Sequence, residues 1–386
     1  MKPLDGLLVL DLTRLLPGAL LTQTLANFGA EVWKIEAPGR GDYARDMPPL
    51  IDGSGAYFLL TNFGKKSIAL NLKHEDGRKA LLRLASQADI LVEGFRPGVM
   101  ERLGLGYEQL SAGNRRLIYV ALTGYGQDGP CALQAGHDLN YAALAGLLHP
   151  SNGLGPSPMP VQLADVTGAQ HALSGILLAL LARERTGQGQ KVDVSLLESL
   201  LPLLTVPLAE YAATGDPGGA GLLSGKYACY HVYRAGDGQF LALAALEEKF
   251  WSAFCNMIDR PSLVQEQYVE DAQPKLISEL ADLFRKKAAG EWLAFFKNVD
   301  TCLTVVNDIP AILANPQLKA RGAFAESHDS PAPPIGALPK LSHTPGALGA
   351  KPPRLGEHTR EILTRHGFSD GEISDMAKQG AVQLEG

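Results

Sequence analysis

The chain has 386 residues, of which 46% are hydrophobic and 20% charged, and its formal net charge is −6. That length and mix suit two globular domains, and the acidic balance argues against a general binder of nucleic acid or anionic membrane. Cys131, Cys229, Cys255 and Cys302 stand far apart with no CxxC pair; no metal site is expected, and they read as reduced thiols of a cytoplasmic protein.

The apolar start "MKPLDGLLVLDLTRLLPGALL" is interrupted by Asp5, Asp11 and Arg14, so it lacks the uninterrupted core of a signal peptide. No stretch is expected to span a membrane. "LLVLDL" (7–12) predicts a buried strand, "GALLTQTLANFGA" (18–30) a helix and "EVWKIE" (31–36) a second strand. The rhythm continues with the short strand "SIALNL", a helix over 75–88, a strand over 89–95, a short helix over 106–113 and a strand over 116–126. Such alternation predicts a parallel, doubly wound sheet. A long apolar helix (167–187), a strand (190–195) and a proline-interrupted helical stretch (196–215) follow.

After "GDPGGAG" (215–221) the pattern changes to a hairpin over 227–246 that turns at Asp237-Gly238. Helices are expected at about 248–258 and 275–297, a Pro/Gly-rich crossing at 330–353, and two short helices within 356–376. The expected division is a large domain over 1–215, a smaller α+β domain over 226–315, and a return to the large domain over 316–386.

Gly124, Gly126 and Gly129 spell G-x-G-x-x-G after a strand. Pro130 follows, no apolar helix starts there, and the first strand-to-helix turn lacks the motif, so a dinucleotide site is not expected. The loop instead leads to "AGHDLNY", where His137 and Asp138 head an apolar segment. Asp165, in "QLADVTGA", stands where either a helix cap or a catalytic carboxylate would stand. A helix N-terminus there would hold it ionised and offer free N–H groups to a developing oxyanion. His171, inside the long apolar helix, reads as a core residue, and Glu247 as a helix start or a functional carboxylate. Glu357 and His358 read as surface helix residues. Lys73, Arg96 and Arg102 follow strand ends on adjoining loops, with Arg40 nearby, a set suited to a ligand with several phosphates.

The blocks "LVLDLT", "GALLTQTLANFGAEVWKIEAPGRGD", "FGKKSIALNLK", "ADILVEGFRPGVMERLGLG", "RLIYVALTGYGQDGP", "AGHDLNYAALAGLL", "LLARERTGQGQKVDVSLLES" and "LGEHTREIL" run through nearly the whole chain. Together they resemble the family III CoA-transferase and α-methylacyl-CoA racemase superfamily (CaiB/BaiF-like). The resemblance implies an α/β fold: a Rossmann-like large domain, a smaller α+β domain, and a homodimer of interlocked rings. It implies a coenzyme A thioester as substrate rather than a resident cofactor, held along Leu15, Arg40, Leu72, Lys73, Gly94, Phe95, Arg96 and Arg102. Neither nucleic acid nor membrane is an implied partner. In the racemase branch, residues matching His137 and Asp165 exchange the α-proton of an acyl-CoA from opposite faces, and one matching Glu247 supports the histidine. In the transferase branch the aspartate is instead a nucleophile that forms an acyl anhydride. Formyl-CoA transferases carry a glutamine where this chain has Leu16, a run of four glycines where it has "LLSGKYACY", and no histidine at position 137. The segment "GDYARDMPPLIDGSGAYFLLTNFGKKS" is transferase-like in length, and Ala37 replaces a common family arginine that Arg40 is placed to substitute. A two-base racemase is therefore the expected activity; a CoA transferase working through Asp165 is the first alternative and a silent CoA-ester binder the second.

Overall fold

The computed structural model describes residues 1–149, 156–217, 221–326 and 332–385. Parts of the expected boundary at 215–226 and of the crossing at 330–353 therefore lie outside the described residues. Packing divides the chain into two units. One comprises residues 1–147, 158–202 and 317–386; the other comprises 148–157 and 203–316.

The first unit opens with β1 (Leu8–Leu12), α1 (Leu15–Asn27) and β2 (Glu31–Glu36). A small hairpin, β3 (Leu50–Ile51) and β4 (Ser54–Gly55), precedes α2 (Ala56–Thr61). Then come β5 (Lys66–Leu70), α3 (Glu75–Ala85), β6 (Ile90–Glu93), α4 (Val99–Arg102), α5 (Tyr107–Gly113) and β7 (Ile118–Thr123). The next elements are α6 (Asp138–Leu144), α7 (Leu163–Thr186) and β8 (Lys191–Ser195).

The second unit contains α8 (Thr205–Thr214), β9 (Tyr230–Arg234), β10 (Phe240–Ala244), α9 (Glu248–Met257), α10 (Gln273–Phe284), α11 (Ala289–Phe295), β11 (Leu303–Val305) and α12 (Ile309–Ala314). The chain then returns to the first unit through α13 (Pro316–Ala320), α14 (Thr359–Arg365), α15 (Asp370–Lys378) and β12 (Val382–Gln383).

The large sheet has the order β12-β5-β2-β1-β6-β7-β8. Its pairs are parallel except β12 on β5, which is antiparallel, so the expected all-parallel sheet gains one reversed edge strand. The central strands are covered on both faces; β6 and β7 are buried throughout, which is why they read as continuous apolar runs. Leu10, Leu12 and Leu91 join α3, α5, α14 and α15 in one core. The opposite face carries α1 and α7, which pack on each other, and α7 also packs on β7 and β8.

By length and composition α7 meets the requirement for a membrane span, contrary to the expectation from sequence. Here it is a sheet-covering helix. Its far end is anchored by Arg183, 2% exposed, which pairs with Asp89 at 3.0 Å and donates to the Arg116 carbonyl. Leu178 and Leu181 nevertheless face outward, and His171, expected in the core, is exposed with Nδ1 2.9 Å from the Thr167 carbonyl. His358, read as a surface residue, is half-buried, and its Nδ1 accepts from the Ser67 N–H on β5.

In the second unit β9, β10 and β11 form an antiparallel sheet over Trp251, Phe254, Phe284 and Trp292. The single helix expected over 275–297 is broken. The hairpin-turn residue Asp237 accepts the Ala289 N–H and starts α11, while Trp292 Nε1 donates to the Phe284 carbonyl that ends α10. Helix α8, expected with the large domain, belongs to this unit and buries none of its residues.

Four ionised side chains are buried beneath the β1–α1 turn. Lys34 Nζ lies 2.8 Å from Asp42 and 4.0 Å from Asp11, and Lys65 Nζ lies 3.5 Å from Asp11. Burial opposes ionisation of Asp11, but the two lysines and the hydroxyls of Thr13 and Thr22 outweigh it and hold the carboxyl below its usual range. For Lys65 burial prevails, and its ammonium is pushed down to about 8. Breaking such a set strands the remaining charges. Asp11→Asn is therefore expected to cost about 3–5 kcal/mol of stability, read by chemical denaturation. A loss below about 1 kcal/mol would show that the cluster does not hold this face together.

Candidate active site

Counting only the parallel strands, β5, β2, β1, β6, β7 and β8 stand in the chain order 3-2-1-4-5-6. The connections leave in opposite directions on the two sides of the β1/β6 pair, and a crevice opens outside their carboxyl ends. Two neighbouring cavities lie there. The first, about 460 Å³, is lined from β1, β2 and β5 by residues that include Leu12, Glu36, Ala37, Asn71, Leu72 and Lys73. The second, about 420 Å³, is lined by residues that include Leu15, Gly18, Gly94, Arg96, Tyr141 and Leu196, together with His137, Asp138 and Asp165. Thr13, Arg14 and Phe95 belong to both walls.

The wall between the cavities is set from below. Lys34 donates to the Thr13 carbonyl, and Asp42 accepts the N–H groups of Leu15 and Ala44. Leu15 has φ +64°, a left-handed conformation that costs a branched side chain and is kept only where its surroundings over-determine it. On the other side Glu93, 3% exposed, accepts the Phe95 N–H at 2.7 Å and the Tyr119 hydroxyl at 3.3 Å. Burial pushes its carboxyl up to about 7.

His137 is the residue before α6 and is exposed in the single chain; its backbone N–H donates to the Asn140 side chain. A Cβ at Gly124 would overlap the Tyr141 ring, and one at Gly136 would overlap the same ring and the Tyr125 hydroxyl. The two tyrosine rings meet edge to face at 5.1 Å, and Tyr141 donates to the Gly136 carbonyl. At Gly124, the first glycine of the misleading triplet, a packing demand of the cavity wall thus accounts for the residue.

Asp165 sits in the first turn of α7 but is not its cap; Gln162 occupies that position. The cap comes from a distant part of the chain. Asp138 Oδ1 accepts the N–H groups of Ala164 at 2.6 Å and Asp165 at 3.2 Å. Two sequence expectations change as a result. The N–H groups of Ala164 and Asp165 are engaged and cannot serve an oxyanion. Asp165 is not held ionised by the helix terminus: burial, and then the Asp138 charge, push its carboxyl up to about 6. Such a carboxyl exchanges a proton near neutral pH in either direction. The same two carboxylates, after burial and the neighbouring Tyr125, push the Tyr141 phenol up to about 12.

Of the expected phosphate-side residues, Leu72, Lys73 and Phe95 line the first cavity, while Leu15, Gly94, Phe95 and Arg96 line the second. Arg102 is exposed on α4 and lines neither. Arg40 also lines neither; it pairs with Asp46 at 3.2 Å above the Tyr43 ring. Glu247 belongs to the second unit, exposed at the start of α9. Asp42, Glu93 and Arg14 carry the walls, and the sequence signalled none of them. In the sequence Arg14 is only an interruption of an apolar run.

The sequence model of CoA-transferase family III matches residues 4–359. Alpha-methylacyl-CoA racemase of Homo sapiens is 36% identical over 384 residues, covering 97% of this chain and 96% of its own. Succinyl-CoA:glutarate CoA-transferase of Homo sapiens is 31% identical, covering 99% and 91%. Among solved structures, a CAIB/BAIF family protein from Brucella suis superposes with a TM-score of 0.82 at 29% identity, covering 95% of this chain and 99% of its own. With its strand order, its cleft at the β1/β6 ends and a family match spanning most of its length, this chain belongs to CoA-transferase family III.

Proposed function

We propose that this protein binds an acyl-CoA thioester and inverts its α-carbon by two-base proton transfer. The observation that carries this reading is that His137 and Asp165 line one cavity, and that Asp165 is poised with its carboxyl near pH 6. The nucleotide end of CoA fits the first cavity beside Lys73, and the thioester passes the Thr13–Phe95 wall into the second. One group removes the α-proton, the thioester oxygen takes the charge as an enolate, and the other group returns a proton to the opposite face. General bases give such a step about 10²–10⁴-fold.

The relatives support both branches. The same Asp165, ionised at neutral pH, suits attack on a thioester carbonyl, and the transferase-like insert packs near it: the Asp165 and Asp42 charges add to burial in raising the Tyr57 phenol. A CoA transferase is therefore the second reading. A homodimer is part of the proposal, because Val206, Leu208 and Tyr211 of α8 are left exposed.

In heavy water, a 2-methylacyl-CoA should gain deuterium at the α-carbon without any added acid, as read by mass spectrometry. His137→Ala should lower inversion by at least about 10²-fold yet leave stereospecific exchange in the one epimer that Asp165 faces. Absence of exchange, with CoA moved to an added carboxylic acid, would establish the transferase instead.

As a base Asp165 works only when ionised, so the direction of reaction that uses it should lose activity as pH falls through about 6. Asp138→Asn keeps an oxygen for the Ala164 N–H but removes the negative charge that helps raise Asp165. The acid limb of kcat/KM should then move to lower pH. An unmoved limb would mean that the Asp138 charge does not act on Asp165.

A further inference from the structure

Arg14 is the cation common to both cavities. Its backbone is clamped on either side, with the Thr13 carbonyl held by Lys34 and the Leu15 N–H held by Asp42. Its guanidinium lies 4.8 Å from the centre of the Tyr43 ring and 5.6 Å from that of Phe95, and Nη1 donates to the Tyr43 hydroxyl at 2.8 Å. Among the described residues it forms no ion pair and no other side-chain hydrogen bond. Arg40 rests on the same Tyr43 ring at 4.6 Å but is neutralised by Asp46. The buried carboxylates that line the first cavity with Arg14 are spent as well: Asp42 faces Lys34, and Glu36 faces Arg45 at 2.7 Å.

A guanidinium lying against two rings keeps its in-plane N–H edge for a ligand, and a planar two-oxygen anion matches that edge. A hydrocarbon acyl chain would gain nothing from it and would have to displace its water. We propose that Arg14 is a specificity residue that binds a carboxylate carried by the substrate, so that the preferred acyl groups, or acceptor acids, are dicarboxylates. The inference rests on the reading of the second cavity as an acyl-CoA site. Arg14 lines both cavities, so its guanidinium is within reach of a carboxylate in the Asp165 cavity, while Lys73 lines only the first cavity, where the proposed function puts the nucleotide end of CoA.

The test uses calorimetry on the full-length protein with succinyl-CoA, butyryl-CoA, free CoA, and free succinate added to the CoA complex. Wild type should bind succinyl-CoA about 30-fold more tightly than butyryl-CoA, or should bind succinate on the CoA complex. Arg14→Gln should abolish that difference while changing butyryl-CoA and free CoA affinity less than about threefold, and Arg14→Lys should restore only part of it. Equal losses for all four ligands, or a loss confined to free CoA, would assign Arg14 to a phosphate and overturn the inference. Binding of both esters with no preference in wild type, and no uptake of succinate, would overturn it too. If wild type binds neither ester, the acyl-CoA reading itself fails and takes this inference with it.

Discussion

Everything at the cleft depends on the buried set of Asp11, Lys34, Asp42 and Lys65. Each of these charges would be prohibitively costly alone in the interior, and each is tolerable only because the others are present with the right geometry. Asp11 and Lys34 come from adjacent strands, β1 and β2, paired in register at that level. Asp42 arrives on the loop after β2, and Lys65 immediately before β5. Because Lys34 also takes the Thr13 carbonyl and Asp42 also takes the Leu15 N–H, charge neutrality in the interior is converted into a fixed β1–α1 turn. That turn is the wall on which both cavities are built.

The sheet supplies the opening and the helices supply the chemistry. Reversal of winding at β1 and β6 leaves a crevice that no side chain fills, and α7 delivers a carboxylate to its edge. An aspartate in the first turn of a helix is ordinarily stabilised as an anion by the terminal N–H groups. Here Asp138 occupies those groups, and burial first, then the Asp138 charge, push the Asp165 carboxyl up to about 6. One carboxylate satisfies the helix so that its neighbour can take up and release protons near neutral pH.

A racemase at 36% identity and a transferase at 31% share this frame along nearly their whole length with the present chain. The scaffold therefore does not choose between them. A fold sets where a reaction occurs, and the few side chains at that place set which reaction it is. In the function proposed for this chain those are His137, Asp165 with its Asp138 partner, and the cations distributed along the Arg14–Phe95 wall.

The alternating strands and helices of the first unit were legible in the sequence because a strand buried on both faces must be apolar along its length and a covering helix must be apolar at helical spacing. His137 and Asp165 were legible as candidates because ionisable groups heading apolar segments need a reason to be there. The sequence did not disclose what those groups meet. The Asp138 cap joins residues 26 or more positions apart, and burial together with the Asp138 charge reverses what a local helix reading predicts for Asp165. The break between α10 and α11 depends on Asp237 in a hairpin about 50 residues earlier. The outward face of α7 looked like core because apolar content records burial without saying where. Arg14 looked like an accident in an apolar run, and only strand register places it between two cavities. Periodicity is a local property that one segment can carry alone; charge pairing and exposure belong to segments far apart in the chain, and only the tertiary structure brings them together.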